Sequence, residues 1–398
     1  MRRRVGRHGV VEEHDTSALF SIFPGVEGYF QSLLMPILVA PVMVLLRVIR
    51  TLQVWFDRGV GYIFSQPAAP PDPWPTPVQH TRKLKTRDGL EIAYTIMAPG
   101  RGKRVVVFAK GLGMTSTNHS LILPIVHALG TSDYQYITWE YRGLFSSDTP
   151  TRRRRLAIPE HVEDLVEILK AEGLKQIHFC FGHSMGVAVT LELAVLYPER
   201  ISGGIVCLNG THGQIFQSAF QPFIRLPFFN RFMCNLLEYM ICNPNVVRSM
   251  CTAMKRAYYY PVVLYTHFFG SQLLKAKIGE DYFWDFLEDY IGGICASERH
   301  MVNFLRLFQE LDAHSVYHLL HCIEHPTLVI SGLFDALTPA YMGMEIANRV
   351  PNARHVMAVF SSHCSVLEAP ELVMDAVQKF AEAVDQRREA GEVRLKHQ

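Results

Sequence analysis

From residue 79 onward the chain alternates two apolar patterns, one short and continuous, the other longer and one-sided. Runs at 83–86 and 90–94 flank Arg87-Asp88-Gly89, which predicts an antiparallel hairpin. Further runs at 104–109, 134–139, 176–181, 204–208, 327–332 and 355–360 are short and rich in β-branched and aromatic residues, so they read as buried strands. Between them, stretches near 120–129, 159–172, 187–197, 339–349 and 370–384 read as helices, the third stopped by Pro198. Strands alternating with helices imply an α/β protein, with a mostly parallel sheet covered by helices on both faces.

The alternation breaks in two places. From Thr211 to about His325 it gives way to a stretch rich in Phe, Tyr, Met and Leu, including Phe228-Phe229, Tyr258-Tyr259-Tyr260 and Phe283-Trp284, which reads as helices. The other break lies upstream. Residues 1–28 are polar, with Glu12, Glu13, Asp15 and Glu27, and a signal peptide of the usual form is not expected. Residues 30–46 carry no charge, and Arg47, Arg50, Thr51 and Arg58 then fall on one helical face opposite Leu45, Ile49, Leu52 and Phe56.

An uncharged run of that length is at the short end for a spanning helix, about 17–25 residues, and its amphipathic continuation suits an interfacial segment. Residues 30–58 are therefore expected to contact a membrane surface, or else to pack on the main domain as a buried helix. If the segment spans, its flanking arginines place the main domain on the cytoplasmic side. Residues 67–77, Pro-Ala-Ala-Pro-Pro-Asp-Pro-Trp-Pro-Thr-Pro, form a stiff linker. The expected organisation is an N-terminal segment (1–66), a linker (67–78), a core from 79–210 and 326–385, a helical insertion (211–325) and a charged tail (386–398).

Composition narrows the partners. With 39 basic and 37 acidic residues among 398, the net charge of +2 gives no reason to expect a nucleic-acid partner. The basic clusters at Arg2–Arg4 with Arg7, and at 152–155, are local; the second reads as a solvated loop, with an anionic contact as the alternative. Eight cysteines form no Cys-x-x-Cys pair and several sit in apolar runs, which favours buried thiols in a reducing compartment. Eighteen histidines include no helical metal-binding pair beside a carboxylate motif, so neither a metal nor a cofactor is expected.

The chemistry centres on Gly182-His183-Ser184-Met185-Gly186, set between a strand and a helix. That spacing suits a sharp turn that lifts a serine hydroxyl clear of a sheet edge, at a helix N-terminus that favours negative charge. A serine needs a base, and the base an orienting acid. Asp335 follows the strand at 327–332 and His363 follows the last strand, each where a parallel sheet presents its loops.

In strand order and in this Ser, Asp, His sequence the chain resembles the α/β-hydrolase superfamily over about residues 79–385. The resemblance implies Ser184 as nucleophile, His363 as general base and then acid, and Asp335 as its orienter. It makes the insertion a cap between the sixth and seventh strands, with apolar side chains walling a pocket over the serine. It also implies an oxyanion hole from the backbone N–H groups of Met185 and Leu112, the latter in Lys110-Gly111-Leu112, where Lys110 replaces the family's usual His. Trp139-Glu140-Tyr141-Arg142-Gly143 resembles the family's Asp-x-Arg-Gly turn, with Glu140 for Asp, and reads as structural. The expected activity is hydrolysis of a lipophilic carboxylic ester, as in an esterase or lipase, inside the cell. Acyl transfer, perhydrolysis and thioester or C–C hydrolysis use the same triad, and a silent membrane-attached adaptor is the alternative from another class.

Overall fold

The computed structural model describes residues 74–115, 119–217, 227–249, 289–290, 292–335, 337–359 and 361–390. An eight-stranded sheet forms the centre. In chain order its strands are β1 (Gln79–Lys85), β2 (Glu91–Met97), β3 (Arg104–Ala109), β4 (Tyr134–Trp139), β5 (Ile177–His183), β6 (Ile201–Leu208), β7 (Thr327–Gly332) and β8 (Ala353–Ala358). The spatial order is β1-β2-β4-β3-β5-β6-β7-β8. Among the described strands of the sheet only the β1–β2 and β2–β4 pairings are antiparallel; from β4 to β8 every neighbour runs parallel.

Burial on both faces explains the continuous apolar runs. In β3, Val106 and Phe108 face α1 (Leu123–Leu129) and α8 (Pro370–Glu389), whereas Val105 and Val107 join the opposite cluster. That opposite cluster holds α2 (Ile158–Ala171), α3 (Met185–Leu196) and part of α6 (Ala340–Arg349). Every residue of α3 from Met185 to Ala194 is buried, Thr190 and Glu192 included, so the helix is enclosed all round rather than striped. β1 is the exception: it lies at an edge, its polar and basic side chains largely exposed, which discourages pairing with a second chain.

The turn after β4 is held by charge. Arg142 is fully buried, bidentate to Asp164 at 2.7 Å on each nitrogen, and reaches Asp88 in the β1–β2 turn at 2.7 Å. Burial nevertheless pushes Asp164 up to about 6, with Arg142 opposing it. This fits the structural reading of that turn.

The stretch between β6 and β7 is helical where it is described, with α4 (Phe229–Cys242) and α5 (Glu298–Ala313). It meets the core through Leu237, Met301, Leu305 and Leu307, packed with Leu144, Ile215 and Phe216. Tyr258-Tyr259-Tyr260 and Phe283-Trp284 lie outside the described residues, as do residues 30–58 and most of the proline-rich linker. Among the described residues no helix is long and apolar enough to cross a membrane.

Some expectations change. Cys180 and Cys207 are buried, but Cys234, Cys242 and Cys322 are exposed, and all seven described cysteines are free. Cys234 and Cys242 lie on α4, which buries only Leu237 fully, so apolar neighbours in sequence did not mean an apolar environment. Arg153 bonds Gln309 and Glu310, and Arg155 pairs with Glu160, so the 152–155 cluster is already partly neutralised within the chain. α8 runs to Glu389, past the expected core boundary at 385.

Candidate active site

The turn after β5 is built by close approach. A Cβ on Gly186 would lie 1.9 Å from the Ala109 carbonyl oxygen, and one on Gly182 would lie 2.4 Å from that of Gly186. Only glycine allows β3, β5 and α3 to meet this tightly. Between these glycines Ser184 takes φ +55°, a strained value for a residue with a side chain, which aims its hydroxyl out of the sheet.

Three loops converge there. Ser184 Oγ lies 2.9 Å from His363 Nε2, and His363 Nδ1 lies 2.9 Å from Asp335 Oδ2. With Nδ1–H donating to the carboxylate, Nε2 is free to accept the serine proton. Asp335 is fixed by further donors. Its Oδ1 accepts from the N–H groups of Leu337 and Thr338 at 2.9 and 2.8 Å, and its Oδ2 from the Thr338 hydroxyl at 2.8 Å and Asn209 Nδ2 at 3.2 Å. Burial works against its charge, but His363 and Thr338 outweigh that and hold the carboxyl below its ordinary value. Burial likewise opposes charge on His363; Asp335, with a smaller contribution from Glu368, raises it above the ordinary imidazole value.

The loop after β3 borders the serine. A Cβ on Gly111 would sit 3.3 Å from Ser184 Cβ and 2.9 Å from His183 Nδ1. The Met185 N–H stands at the first position of α3, where no intrahelical acceptor exists. In the β3 loop the Leu112 carbonyl accepts from the Tyr290 hydroxyl at 3.0 Å. Ile294 and Phe304 close over Gly113, where a Cβ would lie 3.0 Å from each. Residues of the stretch between β6 and β7 therefore both cover this loop and fix one of its peptides.

Lys110, in place of histidine, is buried, and among the described residues its Nζ has no hydrogen-bond partner. Burial lowers it to about 7, with Glu140 pulling the other way. Among the described residues no group of three or more His, Cys, Asp or Glu side chains is arranged to hold a metal ion.

Sequence reasoning missed four side chains that hold this arrangement: Thr338, Asn209, His183 and Glu368. Thr338 had a local signal, since Asp followed three residues later by Thr forms a self-bonded turn. Asn209 and His183 act across more than a hundred residues of chain, and no spacing rule reaches that far.

A nucleophile elbow on the fifth strand, a parallel sheet with one antiparallel side, and a helical insertion after the sixth strand define a class. A family model described as "alpha/beta hydrolase fold" matches residues 104–233. The chain has the α/β-hydrolase fold, and the family match supports a hydrolase of that superfamily. Among its relatives, the protein named "Putative carbamate hydrolase RutD" from Caulobacter segnis is 25% identical over 286 residues, covering 71% of this chain and 93% of its own. A 2-hydroxy-6-oxononadienedioate/2-hydroxy-6-oxononatrienedioate hydrolase of Burkholderia vietnamiensis is 24% identical over 267 residues, 67% of this chain and 83% of its own. In fold, the chain is similar to a hydrolase from Pseudomonas aeruginosa PA01, with TM-score 0.54 and 22% identity over 76% of this chain and 98% of that one.

Proposed function

We propose that the protein is a serine hydrolase that cleaves a lipophilic carboxylic ester through an acyl-enzyme. The observation that carries this is the unbroken chain from Ser184 Oγ through His363 to Asp335, with both links at 2.9 Å. Ser184 attacks the ester carbonyl as His363 Nε2 takes its proton. Asp335, held ionised by its donors, stabilises the resulting imidazolium. The charge that develops on the carbonyl oxygen is met by the backbone N–H groups of Met185 and Leu112. His363 then returns the proton to the departing alcohol, and water, activated by the same imidazole, releases the acid. Ser rather than Asp at the elbow speaks against attack by a carboxylate. The apolar contribution of Ile294 and Phe304 above the loop supports a lipophilic acyl or alcohol group.

A fluorophosphonate probe should label Ser184 in the wild type and not in Ser184→Ala. Esterase activity on p-nitrophenyl esters should vanish with Ser184→Ala and His363→Ala and depend on acyl length. An unlabelled wild type without esterase activity sinks this reading and favours an adaptor. The Burkholderia relative's name motivates a second reading, hydrolysis of a 2-hydroxy-6-oxo dienedioate on the same triad; turnover of 2-hydroxy-6-oxononadienedioate with inert p-nitrophenyl esters selects it.

Residues 30–58 are further proposed to attach the enzyme to a membrane, with the catalytic domain on the cytoplasmic side. The support is their uncharged run and flanking arginines. Membrane fractionation with and without residues 1–66 tests it; a full-length protein that stays wholly soluble removes the proposal.

A further inference from the structure

Glu368 is a buried carboxylate that acyl transfer does not require. It ends the short helix α7 (Ser365–Glu368), five residues beyond His363. Its Oε2 accepts the Ser362 N–H at 2.5 Å and its Oε1 accepts the Ser362 hydroxyl at 2.6 Å. The Ser362 carbonyl in turn accepts from Asn209 Nδ2 at 2.8 Å, and the His363 carbonyl from His183 Nε2 at 3.0 Å. The residue before the base is thus gripped at its amide, its hydroxyl and its carbonyl. Burying a carboxylate is costly unless donors satisfy it, and here both donors belong to the residue before the base.

We propose that Glu368 is a positioning residue for His363, locking the Ser362–His363 backbone so that the imidazole meets Ser184. It also places a second negative charge near the imidazolium that forms during the reaction. The inference rests on the reading of His363 as the base. The groups facing His363 are Asp335 from the loop after β7, His183 from the end of β5, and Glu368 and Cys364 from its own segment. Burial lowers His183 to about 3 and pushes the Cys364 thiol well up, so both stay neutral near pH 7. Asp335 and Glu368 are the two that carry negative charge to the imidazole. Burial pushes Glu368 up to about 7 against its Ser362 hydrogen bonds, so its charge forms over the same pH range in which the base works.

The test uses the full chain as wild type, Glu368→Gln and Ser362→Ala. Gln keeps the volume but removes the charge, and its N–H₂ takes the place of one of the two accepting oxygens. The first readout needs no substrate: the His363 imidazole is titrated by NMR in protein labelled with ¹⁵N-histidine. Glu368→Gln should move that titration to lower pH by about half a unit or more, while Ser362→Ala, which keeps the charge, should move it less. The second is p-nitrophenyl ester hydrolysis, in which Glu368→Gln should lose about ten- to a hundredfold in kcat with KM nearly unchanged. The acid limb of its pH profile should shift with the NMR titration.

An unshifted His363 titration in Glu368→Gln overturns the proposal, as does a kcat loss that only tracks the unfolded fraction by circular dichroism. If Glu368→Gln does not fold, full kcat in Ser362→Ala overturns it instead. A wild type inert to esters and probes removes the esterase reading, and the NMR shift still decides the role of Glu368.

Discussion

Lys110 offers a measurement that ties burial to pH. Its ammonium is enclosed, Glu140 is its electrostatic counterweight, and its amine falls from 10.5 to about 7. A lysine lowered on folding binds its proton more readily in the unfolded chain, so its contribution to stability rises with pH between about 7 and 10.5. Relative to a residue that does not titrate, Lys110 costs about 4 kcal/mol at pH 7 and about 1.5 kcal/mol at pH 9.5. Lys110→Met keeps the stem length and removes the charge. Urea unfolding of both proteins at the two pH values should give a stability gap, Met minus Lys, about 3 kcal/mol more favourable to Met at pH 7 than at pH 9.5. Other titrating groups largely cancel in this double difference. Esterase activity should survive, because the proposed oxyanion donors are main-chain N–H groups and the Lys110 carbonyl still accepts from Tyr141 at 2.7 Å. A gap that stays constant with pH, or one that favours Lys at pH 7, refutes the reasoning and shows that Glu140 stabilises the ammonium fully.

The proposed ester hydrolysis needs neutral His363, which Asp335 raises above the ordinary imidazole value, so kcat/KM should climb with pH along a limb centred above pH 6.5. Asp335→Asn should lower that limb and cut kcat by about 10³–10⁴-fold, as pH–rate profiles of the two proteins will show. Gly186→Ala should abolish soluble folded protein or activity, since its Cβ would overlap the Ala109 carbonyl; a normal melting temperature contradicts this. Arg142→Met strands Asp164 and Asp88 and should cost about 3–5 kcal/mol by denaturant unfolding, with little change in KM. Tyr290→Phe releases the Leu112 carbonyl and should lower kcat about tenfold while leaving fluorophosphonate labelling of Ser184 intact.

Where the sequence was readable, a single dominant force explains why. β3, β4 and β7 fall at the expected bounds because both faces of each are buried and the apolar run equals the strand. β6 begins at Ile201 rather than 204 because Ser202 and Gly203 interrupt its hydrophobic pattern. Gly203 is small for a tertiary reason, since a Cβ there would meet the His178 carbonyl oxygen at 2.4 Å. α1 starts at Leu123, three residues later than the pattern suggested, because Pro124 suits a first turn and residues 120–122 form the preceding turn. The convergence of Ser184, Asp335 and His363 was legible because a parallel sheet brings the loops after its strands to one edge. Asn209 and Glu368 were not, since a lone polar residue at a strand end, or in a short helix, gives no pattern until its distant partners are in place.

Trp74 lies near the end of the proline-rich stretch, yet its side chain is buried in the same apolar cluster as α1 and α8. The linker is therefore rooted in the core at Trp74. If the proposed attachment upstream holds, its pull passes through that indole into the layer of helices on one side of the sheet. A Trp74→Gly chain would lose this footing while its chemistry ran unchanged.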